Sequence, residues 1–266
     1  MSSPALEAQV AAAKAYESLL VPALFGQWAS GVVDAANIAE GHSVLDVACG
    51  TGVLAREAKL RTGPAGHVAG LDPSPGMLAV AEALSPSVHW QQGVAESMPF
   101  PDASFDAVLS QFGFMFMDPD KAAREMVRVL RPNGALVVAV WDSAENIPAY
   151  AAEIALLERI GGTRAADALR APFALGDRER LAEIFNNAGA SSVTMNTPKG
   201  VGRFPSIREM VEADLRGWLP VMGVNLTEET IGRILEEAED VLDSYVAHDG
   251  RVSFDATAHL VSARKP

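Results

Sequence analysis

The sequence predicts an α/β fold built on a parallel sheet, and three observations carry that prediction. Ser43–Val47, His67–Asp72 and Ala135–Trp141 are short apolar runs of the kind that fills strands buried on both faces. Helical patterns separate them along the chain. A glycine turn, Gly50-Thr-Gly52, follows the first run and opens a helix at Val53–Leu60. Alternation of strand and helix over residues 43–141 requires right-handed crossovers and therefore parallel pairing.

The glycine turn is the first element with chemistry. Gly50 and Gly52 remove Cβ atoms that would keep a ligand from the backbone, and the free N–H groups of the next helix face the turn. Gly50-x-Gly52-x-x-Ala55 also fits the dinucleotide fingerprint. Asp46, four residues before Gly50, argues against that ligand, since a carboxylate there meets a cation and repels a pyrophosphate. The longer string Asp46-Val-Ala-Cys-Gly-Thr-Gly52 resembles motif I (D/E-x-x-x-G-x-G) of the class I S-adenosylmethionine-dependent methyltransferases. The resemblance implies that Asp46 and the backbone from Ala48 through Gly50, Thr51 and Gly52 serve the cofactor's ammonium end.

The second strand ends in Asp72, 22 residues after Gly50, where a carboxylate accepts both ribose hydroxyls; capping of the Pro73–Leu84 helix is the alternative. Met77, in the next turn, either covers the adenine, as the resemblance implies, or fills the core. Val88–Gln111 resembles the family pattern G-D-A-E-x-L-P-F-x-D-x-S-F-D-x-V through Gly93, Ala95, Glu96, Pro99, Phe100, Phe105, Asp106 and Val108. Val94 replaces the usual aspartate that bonds the adenine amino group, leaving that contact to Gln91, Glu96, a backbone carbonyl or water, while the Ala95 N–H serves the ring. Ser110, at the end of the fourth strand, completes the implied cofactor set.

Asp118-Pro119 reads as N-cap and first residue of a helix with Ala122, Ala123, Met126, Val127 and Leu130 on one face. Arg131-Pro-Asn-Gly134 stops it before the fifth strand, as L-R-P-G-G does in the family. Further on, Asp177–Gly189 reads as a helix, Ser191–Met195 as a strand, Ser206–Trp218 and Thr227–Val246 as helices, and Val252–Ala263 as a strand. The resemblance implies a Rossmann-like, seven-stranded, mostly parallel sheet with helices on both faces. Its antiparallel last strand inserts between the fifth and sixth, and a helical cap forms from Asn146–Arg170 and Ser206–Val246. The chain is expected to be one domain, with residues 1–42 as a helical lid, 43–141 as the cofactor core and 142–266 as cap and remaining strands.

Composition limits the partners. A chain of 266 residues with 49% hydrophobic and 21% charged residues is of ordinary globular make-up. A formal net charge of −13 opposes phosphate polymers and anionic membranes, so no nucleic acid partner is expected. Leu19–Val33 lacks charge but is interrupted by Pro22, Gly26, Gln27, Ser30 and Gly31, so no membrane insertion is expected either. The single cysteine, Cys49, fits a reducing cytoplasm and reads as a small buried residue of the turn.

Leu6, Val10, Ala13, Tyr16 and Leu20 recur at helical spacing, and the resemblance places such a helix over the cofactor and acceptor. Tyr16 either touches the acceptor or cofactor carboxylate or simply packs. Phe112, Phe114, Met115, Phe116 and Met117, beyond the fourth strand, either line the acceptor pocket or belong to the core. His42, His67, His89, His248 and His259 supply no evident general base, no metal-ligand spacing is present, and no catalytic side chain is assigned.

The expected function is therefore S-adenosylmethionine-dependent methyl transfer to a small, partly apolar acceptor by in-line displacement. The string A-E-x-x-P-F-x-D-x-S-F-D is similar to the branch that includes ubiquinone/menaquinone-biosynthesis-like methyltransferases. A noncatalytic S-adenosylmethionine-binding protein and a NAD-dependent oxidoreductase remain the alternatives, and oligomeric state is not readable.

Overall fold

The computed structural model describes residues 4–266. Its chain opens with α1 (Pro4–Ala15), a π-helical stretch at Tyr16–Phe25, and α2 (Ala29–Ala35). Pro22 lies inside the π-helical stretch, whose wider turn carries the chain past a residue without an N–H. There follow β1 (Ser43–Val47), α3 (Val53–Thr62), β2 (His67–Asp72), α4 (Pro75–Leu84), β3 (His89–Gln92), β4 (Phe105–Gln111), α5 (Pro119–Val129) and β5 (Leu130–Trp141). After these come α6 (Pro148–Gly161), α7 (Thr163–Arg170), α8 (Arg178–Asn187), β6 (Ser191–Asn196), β7 (Lys199–Phe204) and α9 (Ile207–Glu212). A second π-helical stretch (Ala213–Trp218), α10 (Leu219–Val221), α11 (Glu228–Val241) and β8 (Val252–Arg264) complete the fold.

The sheet runs β3-β2-β1-β4-β5-β8-β6, with β7 pairing β8. β1 pairs in parallel with β2 from Ser43↔His67 to Val47↔Leu71, and with β4 from Val44↔Ala107 to Asp46↔Leu109. Val44, Leu45 and Val47 are buried on both sides of the sheet, as the unbroken apolar run predicts. β8 lies between β5 and β6 and is antiparallel to β6 and β7, so the insertion of the last strand expected from the sequence is observed.

Two departures concern strands. Arg131–Gly134 does not end before β5; it is a bulge inside a longer strand, where the register shifts between Phe105↔Leu130 and Ala107↔Ala135 and Asn133 takes a φ of 63°. The sheet has eight strands rather than seven, because β7 pairs with residues 252–257 of β8. Gly202 of β7 faces Phe254, and a Cβ there would stand 2.3 Å from the Phe254 ring. The glycine thus permits the pairing that its low strand propensity obscures.

The chain forms two compact units. Among the described residues, one comprises 4–140, 177–198 and 259–266, and the other 141–176 and 199–258. The first holds the glycine turn and the parallel sheet. In the second, α6 packs on α7 and α11, and α11 buries Ile231, Ile234, Leu235 and Ala238 along one stripe. Both cap segments expected from the sequence fall mainly in this unit. Among the described residues, no helix is long and apolar enough to cross a membrane.

Candidate cofactor site

The site lies in the first unit, where β1, β2 and β4 end together. The turn after β1 is fixed by backbone bonds from Cys49 N–H to Leu71 O (3.0 Å) and from Gly52 N–H to Cys49 O (2.8 Å). Ala48, Gly50 and Gly52 all take left-handed φ values, of 55°, 54° and 85°. The two glycines do different work. A Cβ on Gly50 would meet nothing within 4 Å, so this residue leaves the turn open to a ligand. A Cβ on Gly52 would stand 2.4 Å from Cη2 of Trp90, so Gly52 admits a ring of the protein itself.

Asp72 is 7% exposed and sits beside the open face. Its Oδ2 accepts the Gly50 N–H at 2.8 Å and its Oδ1 the Ser74 N–H at 2.8 Å. Burial raises its pKa, and those two N–H groups hold the rise back. Helix capping, the alternative for Asp72, is done by Ser74, whose Oγ accepts the Met77 N–H at 3.3 Å. The Met77 side chain is half-buried.

Asp46 lies deeper, at 1% exposure. Its Oδ2 accepts the Ala55 N–H at 3.0 Å, which ties β1 to the first turn of α3. Burial pushes its carboxyl well above the usual range, opposed by the Ala55 N–H and Arg56. Thr51 is also committed: its hydroxyl donates to Glu17 at 2.5 Å, and its carbonyl accepts from Arg56 at 2.6 Å. Arg56 in turn donates to Glu17 at 2.7 Å. The N-terminal stretch is thereby latched onto the turn. Tyr16 stacks on Phe25 at 5.4 Å, and its hydroxyl pKa is raised by burial first and then by Asp72, Glu17 and Asp46. Glu17→Ala should therefore speed protease cleavage within residues 4–35 while leaving the sheet intact; unchanged cleavage would mean that apolar packing alone holds the segment.

Two of the side chains singled out in the sequence are taken up by the protein's own packing. Ser110 is fully buried and its Oγ donates to Val47 O at 2.8 Å, so the side chain ties β4 to β1 and offers nothing to a ligand. Phe114 is also fully buried, stacked on Phe185 of α8 at 5.2 Å, and belongs to the core. Phe112 takes a φ of 55° and packs against Phe25 (5.5 Å) and Trp28 (5.7 Å) under the N-terminal stretch, whereas Met115 is half-buried. Gln111, not singled out in the sequence, donates to Phe25 O at 3.1 Å and keeps a buried Oε1 with no partner. A long polar residue at a strand's carboxyl end was the available signal.

In the loop after β3, the Val94 side chain is 47% exposed and its carbonyl accepts the Ser97 N–H at 3.3 Å. Ala95 is buried. Glu96 accepts the Asp118 N–H at 2.8 Å, and the Gln91 amide donates to Gln92 O at 2.8 Å, so both side chains offered as substitutes for the missing aspartate already have partners. Arg128 braces this loop through Glu125, Asp102 and the carbonyls of Met98 and Phe100. Burial, Asp46 and Asp72 raise the Cys49 thiol well above its usual pKa, which disfavours the thiolate. His67 and His89 line a depression with Ser43, Phe100, Ser104 and Phe105 at the opposite, amino-terminal end of the strands.

Residues 45–138 match the family described as "Methyltransferase domain". The ubiquinone/menaquinone biosynthesis C-methyltransferase UbiE of Hahella chejuensis is 38% identical over 126 residues, 45% of this chain and 51% of that protein. The demethylmenaquinone methyltransferase of Thermus thermophilus is 44% identical over 117 residues, 42% and 53% of the two chains. The matched stretch thus spans about half the length of these relatives. The solved structure of Haemonchus contortus phosphoethanolamine N-methyltransferase 2 in complex with S-adenosyl-L-methionine has a TM-score of 0.61 at 18% identity, over 96% of this chain and 56% of that one. With the glycine turn, the buried acids and the strand order above, residues 45–138 of this chain are similar to a methyltransferase domain.

Proposed function

We propose that the chain transfers a methyl group from S-adenosylmethionine to a small, partly apolar molecule by in-line displacement. The observation that carries this reading is the open Gly50 turn beside buried Asp72. Asp72 would hold the ribose, Gly50 and the neighbouring backbone the amino-acid end, and the loop with Val94 and Ala95 the adenine, with Met77 against it. The unpartnered Gln111 Oε1 suits an ammonium group, a role that deeply seated Asp46 serves only through its charge. When bound, the sulfonium supplies an already electrophilic methyl, so the chain's task is to orient the acceptor and exclude water. Residues 1–42 act as the lid, with Tyr16, Phe112 and Met115 on the acceptor side, and segments 146–170 and 206–246 set specificity. Because the resemblance to these relatives covers less than half of this chain, their substrates do not transfer with it.

Calorimetric titration with S-adenosylmethionine and with NADH tests the reading directly: the sulfonium cofactor should bind and NADH should not. Binding of NADH alone would convert the site to a dinucleotide site. Cofactor binding without production of S-adenosylhomocysteine across a broad acceptor panel would mark a noncatalytic binder. The loop assignment has its own check. Val94→Asp restores a carboxylate at an exposed position and should tighten cofactor binding by up to about tenfold, the value of one added hydrogen bond of about 1 kcal/mol. Unaltered or weaker binding would withdraw the roles of Val94, Ala95 and Met77 together.

A further inference from the structure

The second unit contains two buried acids for which the cofactor has no use. Glu153 on α6 is fully buried, and neither of its carboxylate oxygens has a hydrogen-bond partner. Asp214, in the π-helical stretch Ala213–Trp218, is 8% exposed and acts electrostatically on Glu153. Tyr150 stands one helical turn before Glu153, on the same face of α6, with its ring against Phe173 (5.3 Å) and Phe254 (5.7 Å). A π-helical turn at Asp214 is a backbone irregularity of the sort found at functional sites.

Ordinary structural explanations fail for this pair. A buried carboxylate is retained when a cation or several donors compensate it. Of the arginines in the surrounding elements, Arg159 is engaged with Glu237, Arg170 with Glu158 and Asp167, Arg208 with Glu212, Arg216 with Glu228 and Arg164 with Gly223 O, while Arg203 and Arg233 are exposed. One proton shared by the two acids would neutralise one carboxyl and leave the charge of the other buried without a counter-ion. A divalent cation is a poor guest, because no group of three or more His, Cys, Asp or Glu suited to a metal exists among the described residues. What fits two acids and an aromatic face is a compact organic cation with N–H donors.

We propose that Glu153, Asp214 and Tyr150 form a binding site for the protonated amine of a small molecule. The two carboxylates accept its N–H donors and the Tyr150 ring faces its charge. Burial, with Asp214 acting on Glu153 and both acids on Tyr150, raises all three groups, Asp214 to about 7. The inference rests on the methyltransferase reading only in making that amine-bearing molecule the acceptor; the amine is the handle by which it is held, whichever atom takes the methyl.

The test is calorimetry on the intact chain with benzylamine and cyclohexylamine against benzyl alcohol and cyclohexanol, neutral analogues of similar shape. The amines should bind and the alcohols should bind at least about tenfold more weakly. Glu153→Gln and Asp214→Asn should each weaken amine binding by about thirtyfold or more, as for one removed partner of a buried charge pair, and leave S-adenosylmethionine binding unchanged. Glu153→Gln loses no hydrogen bond within the protein and should fold; circular dichroism and melting of both variants check this. Equal binding of amines and alcohols, no binding of amines, or undiminished binding by either folded variant overturns the proposal, as does failure of both variants to fold, which would make the acids structural. Amine binding without cofactor binding would sink the methyltransferase reading and spare this site; cofactor binding without amine binding would do the reverse.

Discussion

Asp72→Ala is expected to weaken S-adenosylmethionine binding about ten- to a hundredfold, the equivalent of hydrogen bonds to a charged group worth about 1.5–3 kcal/mol. Two losses add in one direction. The ribose hydroxyls lose their acceptor, and the Gly50 and Ser74 N–H groups lose the carboxylate that shapes the turn at 2.8 Å each. Stability should fall less than affinity, because alanine also removes a carboxylate that burial makes costly. Calorimetry and thermal melting on the same preparation separate the two effects. Undiminished cofactor affinity in a folded variant would remove Asp72 from the site.

Gly52→Ala is expected to destabilise the fold by about 2–5 kcal/mol, and Gly50→Ala by only about 1–2 kcal/mol. Both substitutions force a Cβ onto left-handed backbone, but only at Gly52 does the new atom run into Trp90. Trp90 cannot simply withdraw, since its Nε1 donates to Ser85 O at 3.0 Å and its ring also lies over Gly70. Urea unfolding of the two single variants, and of Gly52→Ala in a Trp90→Leu background, measures the overlap as a coupling energy. Equal costs at the two glycines, or no coupling to Trp90, would show that backbone strain accounts for the whole effect.

Much of the first unit was legible because its signals are local. Apolar runs ending in Asp46 and Asp72, and glycines at fixed offsets, report strand ends and turns directly. What escaped was tertiary. Ser110 and Phe114 look like site residues by position along the chain, and only the packing of β4 against β1 and α8 shows them buried and occupied. Lys199-Gly-Val-Gly-Arg-Phe204 hid a strand behind two glycines, one of them demanded by the Phe254 ring. Glu153 was not singled out in the sequence, although it shares a stripe with Tyr150, Ile154 and Leu157, all buried. The stripe was in the sequence; the absence of a counter-charge was not.

The place of β8 in the sheet governs when folding can finish. Bonds at its end reach far back along the chain: the Arg264 side chain donates to Asn133 O and that of Lys265, just past the strand, to Leu130 O, across 131 and 135 residues. Contacts of such long range form late, after the loop entropy between them has been overcome. During synthesis, β6 and β7 emerge well before β8, the strand both of them pair with, so each must wait with an open backbone edge. Such an edge invites pairing between chains. The composition of β6, Ser-Ser-Val-Thr-Met-Asn, is suited to waiting: alternate positions are exposed and the strand is mostly polar, so it offers neighbouring nascent chains little to stick to until its own partner arrives.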